Sequence, residues 1–159
     1  MDDSVFPFGG FKIIKYPMTY LKSAETAGSA FFDNFRFPFS DLDIVIQKGI
    51  GFVIAEFKKF SWNGTLIVRP TQRKILNLLH RQIWYNEVYI VGVDEYEPLE
   101  PHDLIHVATL TDIGSGEIPV AFTPLGMKIK KKDMHITTVE EFRNDVEYLL
   151  DKVFPQPLA

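Results

Sequence analysis

Asp43, Glu56 and Lys58 are residues of this 159-residue chain whose types and spacing could do hydrolytic chemistry. They stand at the open end of "DLDIVIQKGIGFVIAEFKK", Asp41 to Lys59. There two apolar β-type runs, Ile44 to Ile46 and Phe52 to Ala55, flank a Lys48-Gly49-Ile50-Gly51 turn. With that turn Gln47 faces Phe52. Counting outward then pairs Ile46 with Val53, Val45 with Ile54, Ile44 with Ala55 and Asp43 with Glu56. Opposed residues of an antiparallel pair have Cβ atoms about 4.5–5.5 Å apart. Glu56 and Lys58 are two apart and leave one face of their strand. The three would therefore share that face, with Ile44, Val53, Ala55 and Phe57 on the other. A slip of one residue would send Asp43 and Glu56 to opposite faces.

Two carboxylates at that spacing repel each other, and a cation relieves the repulsion. A hard divalent ion such as Mg²⁺ takes oxygen ligands, commonly one or two carboxylates, with waters or substrate phosphates completing the shell. Such an ion activates water and neutralises charge developing on a phosphate. A lysine on the same face adds a positive charge for the phosphate or the attacking water. Phosphodiester hydrolysis needs no more than this set. The same residues have a plainer use, in which Asp43 pairs with Lys58 or Lys59 at an exposed strand end and Glu56 with another lysine.

Strands and helices interleave around this hairpin as an α/β fold with a mixed sheet. The second hairpin strand runs from Phe52 to Phe60, and Asn63-Gly64 marks the turn after it. In "RPTQRKILNLLHRQIWYN", Ile75, Leu76, Leu79 and Ile83 fall on one helical stripe, with Pro70 near the start. Glu87 to Asp94 reads as a strand, as do Leu104 to Leu110 and Pro119 to Phe122. "GMKIKKKDMHI" reads as a basic strand or hairpin. A closing helix comes after Thr138, which stands at capping-box spacing from Glu141. Its core face is Val139, Phe142, Val146, Leu149 and Val153. Upstream, Phe11 to Lys15 is a candidate strand and Ser23 to Phe35 a candidate helix. Residues 1–17 form an extended arm of what is read as a single domain over 1–159.

The composition is 46% hydrophobic and 24% charged, in the range of globular domains. No apolar run approaches the roughly 18–20 residues that span a bilayer, and no basic-plus-apolar leader opens the chain, so no membrane partner is expected. The chain has no cysteine, which rules out disulfides and thiolate zinc sites and fits a cytoplasmic location. A formal net charge of −4 argues against a non-specific DNA coat and leaves room for a local basic surface. Lys128 to Lys132, with Lys130 and Lys131 at its heart, and Arg69, Arg73, Lys74 and Arg81 could supply that surface for DNA. His102 and His106, in "HDLIHVATL", would lie about 13 Å apart on one strand, too far for a shared zinc. Trp62 and Trp84 are expected in a core or a subunit contact. The phenylalanines at 31, 32, 35, 37 and 39 are expected to pack on one side of the sheet. The phenylalanine-rich arm before Pro17 could swap onto a second copy and make a homodimer.

The pattern resembles the PD-(D/E)XK nuclease superfamily, whose signature is an Asp opening one strand and a Glu-x-Lys on the next. Leu42-Asp43 stands for its "PD", Leu replacing the proline, and Glu56-Phe57-Lys58 stands for E-x-K after the apolar "FVIA". "RPTQRKILNLL" and "EVYIVGVD" also resemble the helix and strand that come after the E-x-K in these enzymes. The resemblance spans roughly Ser23 to Asp94 and implies a restriction-endonuclease-like mixed β-sheet flanked by helices. It further implies a Mg²⁺- or Mn²⁺-dependent DNA endonuclease of repair, recombination, restriction or a phage system. Asp43 and Glu56 would be metal ligands, with the Phe57 carbonyl and the acidic residue of a preceding helix, Glu25 or else Asp33. Lys58 would orient the water, and Gln72 would support it. The alternatives are an inert module of the same fold that binds DNA or serves assembly, and a viral structural or interaction protein.

Overall fold

The computed structural model describes residues 44–48, 50–83, 85–95 and 99–155. The expected arm at 1–17, the strand at 11–15, the helix at 23–35, the phenylalanines of 31–39, Asp43 and Trp84 lie outside them. The apolar runs of the hairpin form β1 (Ile44–Lys48) and β2 (Gly51–Lys59), antiparallel. Gln47 pairs with Phe52, Val45 with Ile54 and Ile44 with Ala55, the register read from the sequence.

The chain then adds β3 (Thr65–Val68), helix α1 (Pro70–Gln82) and β4 (Tyr85–Val93). β4 lies parallel to β2, from Gly51 opposite Tyr85 to Lys59 opposite Val93. Parallel neighbours need a long crossover, and β3 with α1 supplies it. β5 (Leu104–Thr109) and β8 (His135–Thr138) extend the sheet antiparallel. Among the described residues the large sheet is therefore a mixed one of five strands, ordered β1-β2-β4-β5-β8. β3, β7 (Gly126–Lys130) and β6 (Ala121–Thr123) form a three-stranded antiparallel sheet. The protein is α/β, a mixed sheet flanked by helices. Among the described residues no helix is long and apolar enough to cross a membrane.

Alternation along β2 divides its side chains between two cores. Val53, Ala55 and Phe57 join Tyr89, Val91, Ile105 and Val107 beneath α3 (Val139–Tyr148). Ile54 faces the other way, joining Val88, Ile90 and Ala108 beneath α1 and the inner face of the small sheet. Each Val, Ile or Phe side chain buried in these layers contributes about 1.5–3 kcal/mol. α1 buries Leu76 and Leu79. It stops where Asn86 reaches back, its amide donating to the carbonyls of His80 (3.0 Å) and Ile83 (2.5 Å). That satisfies carbonyls a helix end otherwise leaves unpaired.

Several boundaries differ from the sequence reading. The strand at Leu104 ends at Thr109, because the Thr109 hydroxyl accepts from Asp112 N (3.0 Å) and opens a short helix α2 (Leu110–Ser115). The strand expected at 119–122 is centred later, at 121–123. "GMKIKKKDMHI" is no hairpin, since a 3-10 turn at Lys131–Asp133 carries the chain from β7 in the small sheet to β8 in the large one. Thr138 caps α3 as expected, accepting from Glu141 N at 3.1 Å. A π turn (Leu149–Val153) then widens the helix and shifts the buried face by one residue. Leu150 is buried in consequence, and Val153 is 52% exposed rather than in the core.

At Gly92 the lack of a side chain has a structural use. A Cβ there would come within 3.0 Å of Phe60 Cε1 and closer still to the edge of that ring. The buried Phe60 ring lies over this glycine and meets the His106 ring edge-on at 5.5 Å. Gly92→Ala is expected to cost about 1–3 kcal/mol in urea unfolding, since the ring must move out of a packed layer. An unchanged midpoint would contradict this seating of Phe60.

Candidate active site

Glu56 and Lys58 lie two residues apart on β2, on the face turned toward α1. Glu56 is 2% exposed and is the charged side chain buried among the described residues. A carboxylate removed from water is costly unless it is paired and hydrogen-bonded. Among the described residues, Gln72 and Lys58 answer that cost. The Gln72 amide Nε2 donates to Glu56 Oε1, and the Lys58 ammonium lies 3.6 Å from the same oxygen. Gln72 sits in the first turn of α1, which Pro70 opens, so its amide comes from the positive end of the helix dipole. Lys59, on the opposite face, turns away to Glu95 at 3.2 Å. A lysine partner for Glu56, which the plainer use also asks for, is present in Lys58, but the carboxylate it meets is buried. The carboxylate is buried and shared between a helix amide and a partly covered ammonium.

The structure thus brings together Glu56, Lys58 and Gln72. Asp43 and Glu25 lie outside the described residues, and among the described ones no three His, Asp or Glu side chains cluster as a metal site. The donor chemistry that is present suits a hard divalent cation. It offers a fixed carboxylate oxygen, in a chain without thiolates. Phe57 packs its ring into the core beneath α3.

The expected basic residues separate into three groups. Arg69 and Arg73 flank Gln72 at the start of α1. Arg69 is exposed, and the Arg73 guanidinium lies 4.7 Å over the Phe122 ring on the edge strand β6. Lys74 is exposed one residue further on. Lys130 and Lys132 stand at the end of β7 and in the turn after it, Lys130 exposed. Between them Lys131 pairs with Asp94 at 2.9 Å and rests 5.3 Å over the Phe60 ring. Arg81 does not join either set. It lies in the last turn of α1, nine residues beyond Gln72 and so about 14 Å along the axis.

No protein-family model matches the chain, and no curated protein matches it in sequence.

The histidines stand apart from one another. His102 precedes β5 in a turn rather than sharing the strand with His106 as expected. Burial, helped by the Lys131 charge and opposed by Asp94, holds the His106 imidazole below its ordinary value. His80 bonds Asn86 at 2.8 Å, and His135 lies 3.6 Å from Asp112. Trp62, expected in a core or a subunit contact, is 98% exposed and so lies outside the core of the chain. The Asn63-Gly64 turn signal beside it was the available clue.

Proposed function

We propose that the protein is a Mg²⁺- or Mn²⁺-dependent deoxyribonuclease. The observation that carries this reading is the buried Glu56 carboxylate, held by Gln72 and set beside Lys58 on a central strand. On its own face of the sheet Glu56 stands in line with Ile54 and opposite Ile90, both core residues, so the charge interrupts an otherwise apolar layer. A buried, fixed carboxylate with a lysine beside it is costly to build and is of use when charge must be handled there. The mixed sheet, with β2 antiparallel to β1 and parallel to β4, is compatible with the resemblance that suggested the reading.

In this reading Glu56 and Asp43 hold the ion, with the Phe57 carbonyl and Glu25 as further donors. When bound, such an ion supplies activation of water and neutralisation of charge on the phosphate. The chain's own residues do the rest. Gln72 fixes the Glu56 carboxylate in one orientation, and Lys58 donates to the attacking water or a phosphate oxygen. In-line attack of the water oxygen on phosphorus breaks the P–O3′ bond, leaving a 5′-phosphate and a 3′-hydroxyl. Arg69, Arg73 and Lys74 on one side and Lys130 and Lys131 on the other contact the DNA backbone.

The test is incubation of purified protein with Mn²⁺ and linear, branched and single-stranded DNA. Wild type is expected to cut at least one of these, and Asp43→Ala to cut none. DNA left intact by the wild type, or cut equally by Asp43→Ala, would overturn the assignment.

A further inference from the structure

Beyond the end of β2 the chain makes a tight turn, Ser61 to Gly64, that presents an indole to water. The turn is tied on both sides. Ser61 N donates to Thr65 O (2.9 Å), Gly64 N to Ser61 O (2.9 Å), and Lys131 N to Gly64 O (2.8 Å). The Ser61 hydroxyl adds a bond to Thr65 O at 2.9 Å and one to the Asn63 side chain. Gly64 has φ +73, a conformation that favours glycine. Trp62 is thus fixed at its backbone while its side chain is 98% exposed. A large aromatic surface held in water by an ordered turn gains the fold almost nothing.

Two clefts meet at this turn, sharing Gly64 and Lys131 in their walls. One, of about 390 Å³, has Trp62 in its lining and is balanced in charge, Lys59 and Lys131 against Asp94 and Glu95. The other, of about 630 Å³, is lined by Lys130, Lys131 and Lys132 with His106 and Ile136, and no acidic residue lines it among the described ones. Asp133 comes after Lys132 in the same 3-10 turn but is not in the wall. The positive cleft shares one row of the large sheet with Lys58. Lys58 pairs with Gly92, Gly92 with His106 and His106 with Ile136 in one row across the large sheet. Two strand spacings, about 10 Å, separate the Lys58 and His106 backbones. The buried Phe60 ring, seated on Gly92, fills the interval.

We propose that an unpaired strand of DNA crosses the turn between the two clefts, its phosphates on Lys130, Lys131 and Lys132 in the positive one and one base stacked on Trp62 in the lining of the other. The inference rests on the nuclease reading and names that enzyme's substrate class, DNA carrying unpaired nucleotides. An indole stacks on the π-face of a base, and that face is open in a single strand but covered inside a continuous duplex. A phosphate entering the cleft competes with Asp94 for Lys131, while Lys130 and Lys132 flank it in the same wall.

Fluorescence anisotropy in EDTA, where no metal supports cleavage, tests the assignment with labelled oligo-dT and a blunt duplex of equal length. Trp62→Ala is expected to weaken oligo-dT binding about tenfold and to leave duplex binding nearly unchanged. Trp62→Phe should recover most of the loss. The double variant Lys130→Ala, Lys132→Ala should flatten the salt dependence by about 1.4 in log–log slope. The proposal falls if Trp62→Ala binds oligo-dT like wild type, if both ligands weaken equally, or if wild type binds neither. Cleavage is read separately with Mn²⁺. Strand binding that depends on Trp62 without any cleavage would sink the nuclease and keep the strand site. Cleavage indifferent to Trp62 would do the reverse.

Discussion

Glu56→Gln is expected to lower Mn²⁺-supported DNA cleavage by about a thousandfold, equivalent to roughly 4 kcal/mol of barrier. The substitution keeps the shape of the side chain and one oxygen that can accept from Gln72, and removes only the charge. Burying an amide costs less than burying a carboxylate, and Lys58, partly exposed, keeps its access to water. The variant should therefore unfold in urea no earlier than wild type. This combination separates a reactive carboxylate from a structural one. If Glu56 served only to anchor Lys58 and α1, the same change would lower stability and leave cleavage alone. Urea midpoints and initial cleavage rates on the same preparation decide between the two.

Phe142→Ala should produce the largest loss of stability. Phe142 is almost fully buried and meets Tyr89 edge-on with ring centroids 4.9 Å apart. It is the ring by which α3 docks on the face of the sheet opposite Glu56. Truncating a buried phenylalanine costs about 3–5 kcal/mol through lost transfer energy and the cavity left behind. For a chain of this size that is a fall in Tm of about 6–20 °C. Calorimetry would check it, and a shift of only a degree or two would mean that α3 is held by other contacts. Because the site lies on the other face, residual cleavage by the folded fraction should stay close to that of wild type.

Much of the frame around Glu56 was legible in the sequence, for identifiable reasons. A two-sided buried strand needs a run like "FVIA", and the Gly-Ile-Gly turn pins the register of β1 on β2, which the pairing of Ile44 with Ala55 matches. The stripes of α1 and α3 obey helical spacing, and Thr138 caps α3 in its expected role. What local pattern could not reveal was settled by packing across the chain. β3 is four residues long, too short for periodicity to mark, and exists through its pairing with β7. The parting of β7 and β8 into separate sheets depends on which neighbour each strand finds. The misplacement of Val153 arises from a π turn with no sequence signature of its own. Gln72 was picked out by resemblance. Its bond to Glu56, sixteen residues away, comes from the way α1 lies across β2.

The parallel pairing of β2 with β4 also bears on when the site comes into being. The β1–β2 hairpin closes locally and needs little chain, whereas Gly51 meets Tyr85 only after the whole intervening crossover is in place. Contacts of that sequence separation must meet the entropy of loop closure before any burial rewards them, and they slow folding. Gln72 belongs to the crossover itself, so the Glu56 carboxylate gains its helix partner only when that crossover packs on β2. A partly synthesised or partly folded chain carries the carboxylate and the lysine without the amide that orients them. Assembly of the Glu56, Lys58 and Gln72 set is thereby tied to the docking of α1 on the sheet.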